Sequence, residues 1–286
     1  MATRAPAVAG TWYPATPRTL AKDVDEYLRA AAPTTAGTVD GQITALIAPH
    51  AGLMFSGPVG AHAYATVAGR SVDVVVLVGP SHFVAFDGVA LYPEGAFATP
   101  LGEVPIDAGG ARSLERFPVI HAMPSVHVRE HSLEMQLPFL KTVLPDTPIV
   151  PLLMGYQSRE TIVALSDAIA AAFADRNALL VASTDLSHYF DARSAQALDG
   201  QVQAFVAAFD AEGLLEHFEQ YPEGERGRYV ACGGGPMIAV MRAARALGAT
   251  DARVLRYAHS GEVSGDYEGV VGYLAAALGT FPNATG

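Results

Sequence analysis

Four runs of this chain are apolar almost without interruption: ITALIA (43–48), DVVVLVG (73–79), IVPLLM (149–154) and ALLVAS (178–183). A strand with one face in water alternates polar and apolar side chains, so runs that do not alternate belong to strands covered on both faces. That requirement selects an architecture with helices above and below a sheet. Further strand candidates are GVALY (88–92), ARVLRYA (252–258) and GVVGYL (269–274). Helical patterns fall between them. Residues 17–31 open with Thr16 as a cap and Pro17 at the first helical position, and carry Leu20, Val24 and Leu28. Residues 158–174 open at Ser158, with Glu160 in the first turn. Residues 194–209 and 236–247 also read as helices. The expected fold is therefore α/β, one domain over residues 1–286, with a central, largely parallel or mixed sheet flanked by helices. The strand order is not legible at this level.

Composition narrows the function. Half of the 286 residues are hydrophobic, enough for a sizeable core. The net charge is -11 and no Lys/Arg cluster occurs, which argues against nucleic acid or an anionic membrane as partner. The opening MATRAPAVAG has no apolar core of signal length, and the longest apolar stretches are too short to span a bilayer. A single cysteine, Cys232, allows no internal disulfide. Together these predict a soluble, cytoplasmic chain. The segment APTTAGTVDG (32–41) reads as a loop within the domain.

The apolar runs share one further feature. ITALIA leads through Pro49 to His50, DVVVLVG leads through Pro80 to His82, and ALLVAS leads to Asp185 and His188. In open α/β sheets ligands bind beyond the carboxyl ends of the strands, so histidines delivered there are expected to converge. Asp185 could orient the His188 imidazole, or cap a turn. In YVACGGGPMIAV (229–240), Cys232 precedes three glycines and a helix start. The glycines could cradle an anion on backbone N–H groups, or let the backbone approach a ligand closely. No Walker lysine follows, which excludes a nucleotide P-loop. With His50 and His82 nearby, Cys232 would complete a His/His/Cys set suited to zinc, iron or copper.

In REHSLEMQLPFL (129–140), Glu130, His131 and Glu134 are expected on one helical face, hydrogen-bonded behind the ligands. The second histidine of a zincin motif is missing. Trp12 and Tyr13 are candidate pocket walls, and His259 follows a strand towards the same rim. His62 reads as structural, and His121, His127 and His217 as solvent-exposed.

These motifs carry a resemblance. VAGTWYPA (8–15), IAPHAG (47–52), VGPSH (78–82), EHSLEMQLPFL (130–140), STDLSHY (183–189), CGGGPM (232–237) and YAHSGEVSGDYEGVVGYLAAAL (257–278) resemble, in order, the Memo family. Its bacterial and archaeal members are called AmmeMemoRadiSam system protein B. The resemblance implies a fold similar to class III extradiol dioxygenases, which cleave catechol rings with non-haem iron(II). It implies that His50, His82 and Cys232 bind the metal and that His188 matches the dioxygenases' acid/base histidine. The dioxygenases use two histidines and a carboxylate, so Cys232 is a departure from their pattern. His259 falls where many bacterial members would have Asn. The expectation is a mononuclear metalloprotein, iron(II) favoured and copper or zinc as alternatives. It would act with O2 on a small, aromatic substrate as a dioxygenase-like or other redox enzyme. A zinc hydrolase on the same ligands, and a non-catalytic metal-chelating or peptide-binding protein, are the rival readings.

Overall fold

Each expected strand run is a strand in the structure, a computed structural model that describes residues 3–35 and 39–281. In chain order the strands are β1 (Thr3–Arg4), β2 (Gln42–Ala48), β3 (Val74–Pro80), β4 (Val89–Leu91), β5 (Ala96–Thr99) and β6 (Gly102–Pro105). They continue with β7 (Ile120–Ala122), β8 (Ile149–Met154), β9 (Ala178–Ser183), β10 (His188–Phe190), β11 (Asp251–His259) and β12 (Val270–Thr280). The helices are α1 (Pro17–Thr35), α2 (Leu53–Ala65), α3 (Ala108–Leu114), α4 (Pro124–His127), α5 (Leu137–Val143) and α6 (Arg159–Phe173). After them come α7 (Ala192–Ala207), α8 (Ala211–Glu219), α9 (Arg226–Tyr229), α10 (Gly234–Ala246) and α11 (Gly261–Ser264).

The large sheet runs β10-β12-β2-β9-β3-β8-β4-β7, with β11 paired to β12. Its centre, β2-β9-β3-β8, is parallel, and β12 and β4 flank that centre antiparallel. The sheet is therefore mixed. Alternate residues of each central strand enter different cores, as a period of two requires. On β3, Val74, Val76 and Val78 belong to the core shared with α3, α6, α7, α8 and α10, while Val75 and Leu77 belong to the core shared with α1, α2 and α5. Both faces are covered, which is why these strands show no polar alternation.

The chain goes from β2 to β3 through α2 on one face, and from β8 to β9 through α6 on the other. β9 is thereby inserted between β2 and β3. Reversal of winding at this point leaves a crevice beyond the carboxyl ends of β2, β9 and β3. His50 and His82 follow two of those ends and Ser183 closes the third.

Some boundaries differ from expectation. β12 extends six residues beyond Leu274, to Thr280. Its Ala275, Ala276 and Ala277 look helix-permissive, but they lie in a strand buried between two helical layers, where small side chains fit. The segment 32–41 begins inside α1, and residues 36–38 lie outside the described residues. A small sheet β1-β5-β6 was not anticipated, since its strands span only two to four residues. Among the described residues no helix is long and apolar enough to cross a membrane.

Candidate metal centre

The backbone of His50 is fixed by Asp185. The His50 N–H donates to Asp185 Oδ1 at 2.7 Å and the Ala51 N–H at 3.3 Å. The ring is fixed by Ser183, whose Oγ lies 3.0 Å from His50 Nδ1. Ser183 has one proton, and donates it to the Ser132 carbonyl at 2.6 Å. Gln136 Nε2 also donates to Ser183 Oγ at 2.7 Å, and its other bond, to the Pro49 carbonyl at 3.0 Å, settles which end of the amide faces the serine. Ser183 can therefore only accept from His50, so the proton sits on Nδ1 and Nε2 keeps its lone pair. That bare nitrogen lies 3.2 Å from the Cys232 sulfur. Burial, then the neighbouring His82, His131 and His188, hold His50 well below the ordinary histidine range. It is neutral, as a ligand must be.

His82 is held by a carboxylate instead. Its N–H donates to Glu130 Oε2 at 2.6 Å and its Nδ1 to Glu130 Oε1 at 2.9 Å. Glu130 also accepts the N–H groups of His131 and Ser132, each at 2.9 Å. Burial would raise Glu130, but the His82 ring and these N–H groups outweigh it and bring the carboxyl down to about 2. Burial would likewise lower His82, yet hydrogen bonds to Cys232 and Glu130 raise it to about 10. His82 thus carries a proton that an incoming cation must displace.

His131 joins this pair. Each of His50, His82 and His131 offers a nitrogen, all within 4.8 Å of one another, and the group could hold a metal ion. Burial, then the His82 charge, lowers His131 to about 4. Its ring stacks on His82 with centroids 4.6 Å apart and planes 17° apart, and leans on Trp12 at 4.2 Å. His50 stands nearly perpendicular to both, at 79° and 84°. All three rings therefore stand close enough to contribute to one ion.

A cavity of about 510 Å³ opens on these groups. Trp12, Tyr189 and Val271 supply apolar wall, and Asp185, His188, Arg228 and Cys232 supply polar wall. The His188 Nδ1 donates to the Leu186 carbonyl at 2.7 Å, leaving Nε2 free. A larger cavity of about 650 Å³ between α6, α8 and α10 contains neither histidine nor cysteine, and its Arg242 is paired with Glu212.

Several expected placements need correction. Asp185 spends its carboxylate on the His50 turn, and the bond orienting the His188 ring comes from Leu186. Glu130, His131 and Glu134 do not share a helical face, because regular helix begins only at Leu137 after a short 3₁₀ turn, Glu134–Gln136. Glu134 does not reach the cavity. It is buried, and accepts from Arg4, from the Ala7 and Val8 N–H groups and from the Tyr13 hydroxyl at 2.6 Å. Tyr13 is consequently core, not pocket wall. His259 is buried beside Tyr267 and is not among the residues lining the cavity. His127 and His217 are buried rather than exposed, while His121 is exposed. His127 donates to the Ala90 carbonyl at 3.1 Å, and burial lowers it to about 3.

The glycine run packs and does not cradle. A Cβ on Gly233 would lie 2.5 Å from the Ser183 carbonyl, and one on Gly234 would strike Phe218. The adjacent N–H groups are occupied: Gly233 donates to Thr184 Oγ1 and Gly235 to Gln157 Oε1. Close approach of α10 to β9 is what brings Cys232 to His50. The sequence reading missed Ser183 and Gln136, whose role depends on three elements meeting, and Arg228, which no motif marks.

The model of the Memo-like protein family matches residues 4–277. A MEMO1 family protein of Methanopyrus kandleri is 40% identical over 281 residues, covering 95% of this chain and 97% of that protein. Another, of Methanothermobacter thermautotrophicus, is 36% identical over 277 residues, covering 94% and 98%. Among solved structures, an uncharacterized protein from Escherichia coli K12 shares the fold with a TM-score of 0.58 at 14% identity, over 84% of this chain and 100% of that one.

Proposed function

This chain belongs to the Memo-like protein family, and from that premise we propose that it is a mononuclear metalloprotein, iron(II) favoured, acting as a dioxygenase-like or other redox enzyme on a small aromatic molecule. The observation that carries the reading is the convergence of differently held donors on one cavity. His50 Nε2 faces the Cys232 sulfur at 3.2 Å, and His82 is turned towards the same sulfur by Glu130. His131, stacked on His82, is read as a wall of the site. A bound metal ion would supply Lewis acidity and open positions for O2 and substrate.

The remaining chemistry belongs to the chain. Trp12 and Tyr189 would seat an aromatic ring, and His188 Nε2, free because Nδ1 is taken, would accept or return a proton at the substrate. Asp185 would hold the turn that aims His50. A sulfur ligand gives the metal more electron density than a carboxylate, so ring cleavage is not the sole redox outcome consistent with the site. The nitrogen and sulfur donors also suit zinc, which favours hydrolysis as the second reading, with His188 as base.

The test is metal analysis of protein purified without oxygen, followed by O2 consumption with a catechol panel. Iron with turnover supports the proposal. Zinc with ester or amide turnover supports the second reading. Tight metal binding without turnover of either kind makes the chain a metal-chelating or peptide-binding protein.

A further inference from the structure

We infer that the cavity receives a small organic acid, its carboxylate held by the Arg228 guanidinium and its apolar body against Trp12, Tyr189 and Val271. The inference rests on the reading of this cavity as a small-molecule site and adds the charge class of the occupant. Among the described residues, Arg228 is the one Lys or Arg side chain on the wall. Its guanidinium carbon stands 4.9 Å from the centre of the Phe190 ring and 5.7 Å from that of Tyr229. Those two rings are 5.0 Å apart and tilted 55° to each other. These cation–π contacts hold the guanidinium beside the cavity without using its N–H donors, the part that meets a carboxylate.

Those donors have no hydrogen bond or ion pair to any described residue. An exposed guanidinium at the edge of a cavity whose other walls are Trp12, Tyr189 and Val271 suits an anion with an apolar body. Placement is also built in. A Cβ on Gly227 would lie 3.5 Å from the Cys232 Cα, so the turn carrying Arg228 packs directly on the cysteine.

A carboxylate fits better than a phosphate. The N–H groups of Cys232, Gly233 and Gly235 are donated to Asp185, Thr184 and Gln157, so no backbone nest supplements the guanidinium. One planar fork matches one planar monoanion.

Trp12 is the only tryptophan and stands on the wall, so its fluorescence reports occupancy of this cavity. Para-toluate and its neutral analogue para-toluamide would be titrated into the full-length chain, metal-free and metal-loaded. The metal-free arm removes direct ligation of a metal as a source of preference for the acid. The expected result is that the acid binds at least about tenfold more tightly than the amide, as charge-assisted pairing implies. Arg228→Met and Arg228→Gln should both abolish that preference, and Arg228→Lys should retain part of it. Equal binding of acid and amide, a preference that survives Arg228→Met and Arg228→Gln, or no saturable change with either probe would overturn the inference. Metal content measured in parallel separates this from the metal reading. A wild type that binds no metal contradicts that reading and leaves the metal-free comparison standing.

Discussion

A serine decides which nitrogen of His50 faces the cavity. Ser183 has given its proton to Ser132 and accepts from Gln136, so the imidazole must donate to it. Ser183→Ala should lower metal affinity by about 10–100-fold without removing a ligand, as loss of such outer partners does. Equilibrium titration checks this, and unchanged affinity would show that the tautomer is set elsewhere. His188 has a different expectation. Because its ring is held by Leu186 and its Nε2 is free, His188→Ala should keep the metal and lose turnover, whereas His50→Ala should lose both. Metal loss in His188→Ala equal to that in His50→Ala would make it a ligand. His82 carries a proton in the absence of metal, raised to about 10. Metal uptake at neutral pH should therefore release at least about one proton per ion, the one on His82, and affinity should rise with pH until His82 deprotonates. Proton release in weakly buffered solution measures it, and a value near zero contradicts the assignment.

Two elements position the site, and neither is itself a ligand. The first is the N-terminal segment, tied down by Glu134 through Arg4, Ala7, Val8 and Tyr13. Glu134→Gln leaves the buried Arg4 charge without its partner and should cost about 3–5 kcal/mol of stability. It should also loosen Trp12 against His131, read as a red shift of the tryptophan emission. The second is the start of α10, whose glycines let Cys232 approach β9. Gly233→Ala puts a Cβ 2.5 Å from the Ser183 carbonyl, so it should weaken metal binding while leaving every ligand in place. These elements also show what the sequence made legible. Strand exits at His50 and His82 were readable because Pro and Gly end buried apolar runs. The role of Glu134 was not, since a carboxylate at helical spacing from His131 looks like a site residue until the 3₁₀ turn carries it to the other side.

For the whole molecule, alternation of apolar runs and helical patterns was sufficient to read an α/β fold, because coverage on both faces leaves a local signature. The insertion of β9 between β2 and β3 leaves none, since strand order is a property of crossovers and not of any segment. For the same reason His127, in polar local sequence, turned out buried: β1 and the Tyr92 and Phe97 rings close over it. Its burial has a pH consequence. His127 and His131 are lowered to about 3 and about 4, so the unfolded chain binds protons there that the folded chain refuses. Their contribution is at its full value above the unfolded histidine value and declines as pH falls from about 6.5 towards these folded values. Denaturant midpoints should therefore fall between neutral pH and mild acid. His127→Asn should flatten that fall, and an unaltered slope would contradict the account.

The central claim is that Cys232 and not His131 completes the metal set with His50 and His82. Anaerobic iron(II) titration of the wild type, Cys232→Ser and His131→Ala tests it most directly. The account predicts that Cys232→Ser weakens binding by more than about 100-fold, beyond the range of outer partners, while His131→Ala stays close to the wild type. Wild-type affinity in Cys232→Ser together with loss of binding in His131→Ala would contradict it and assign the site to the three histidines.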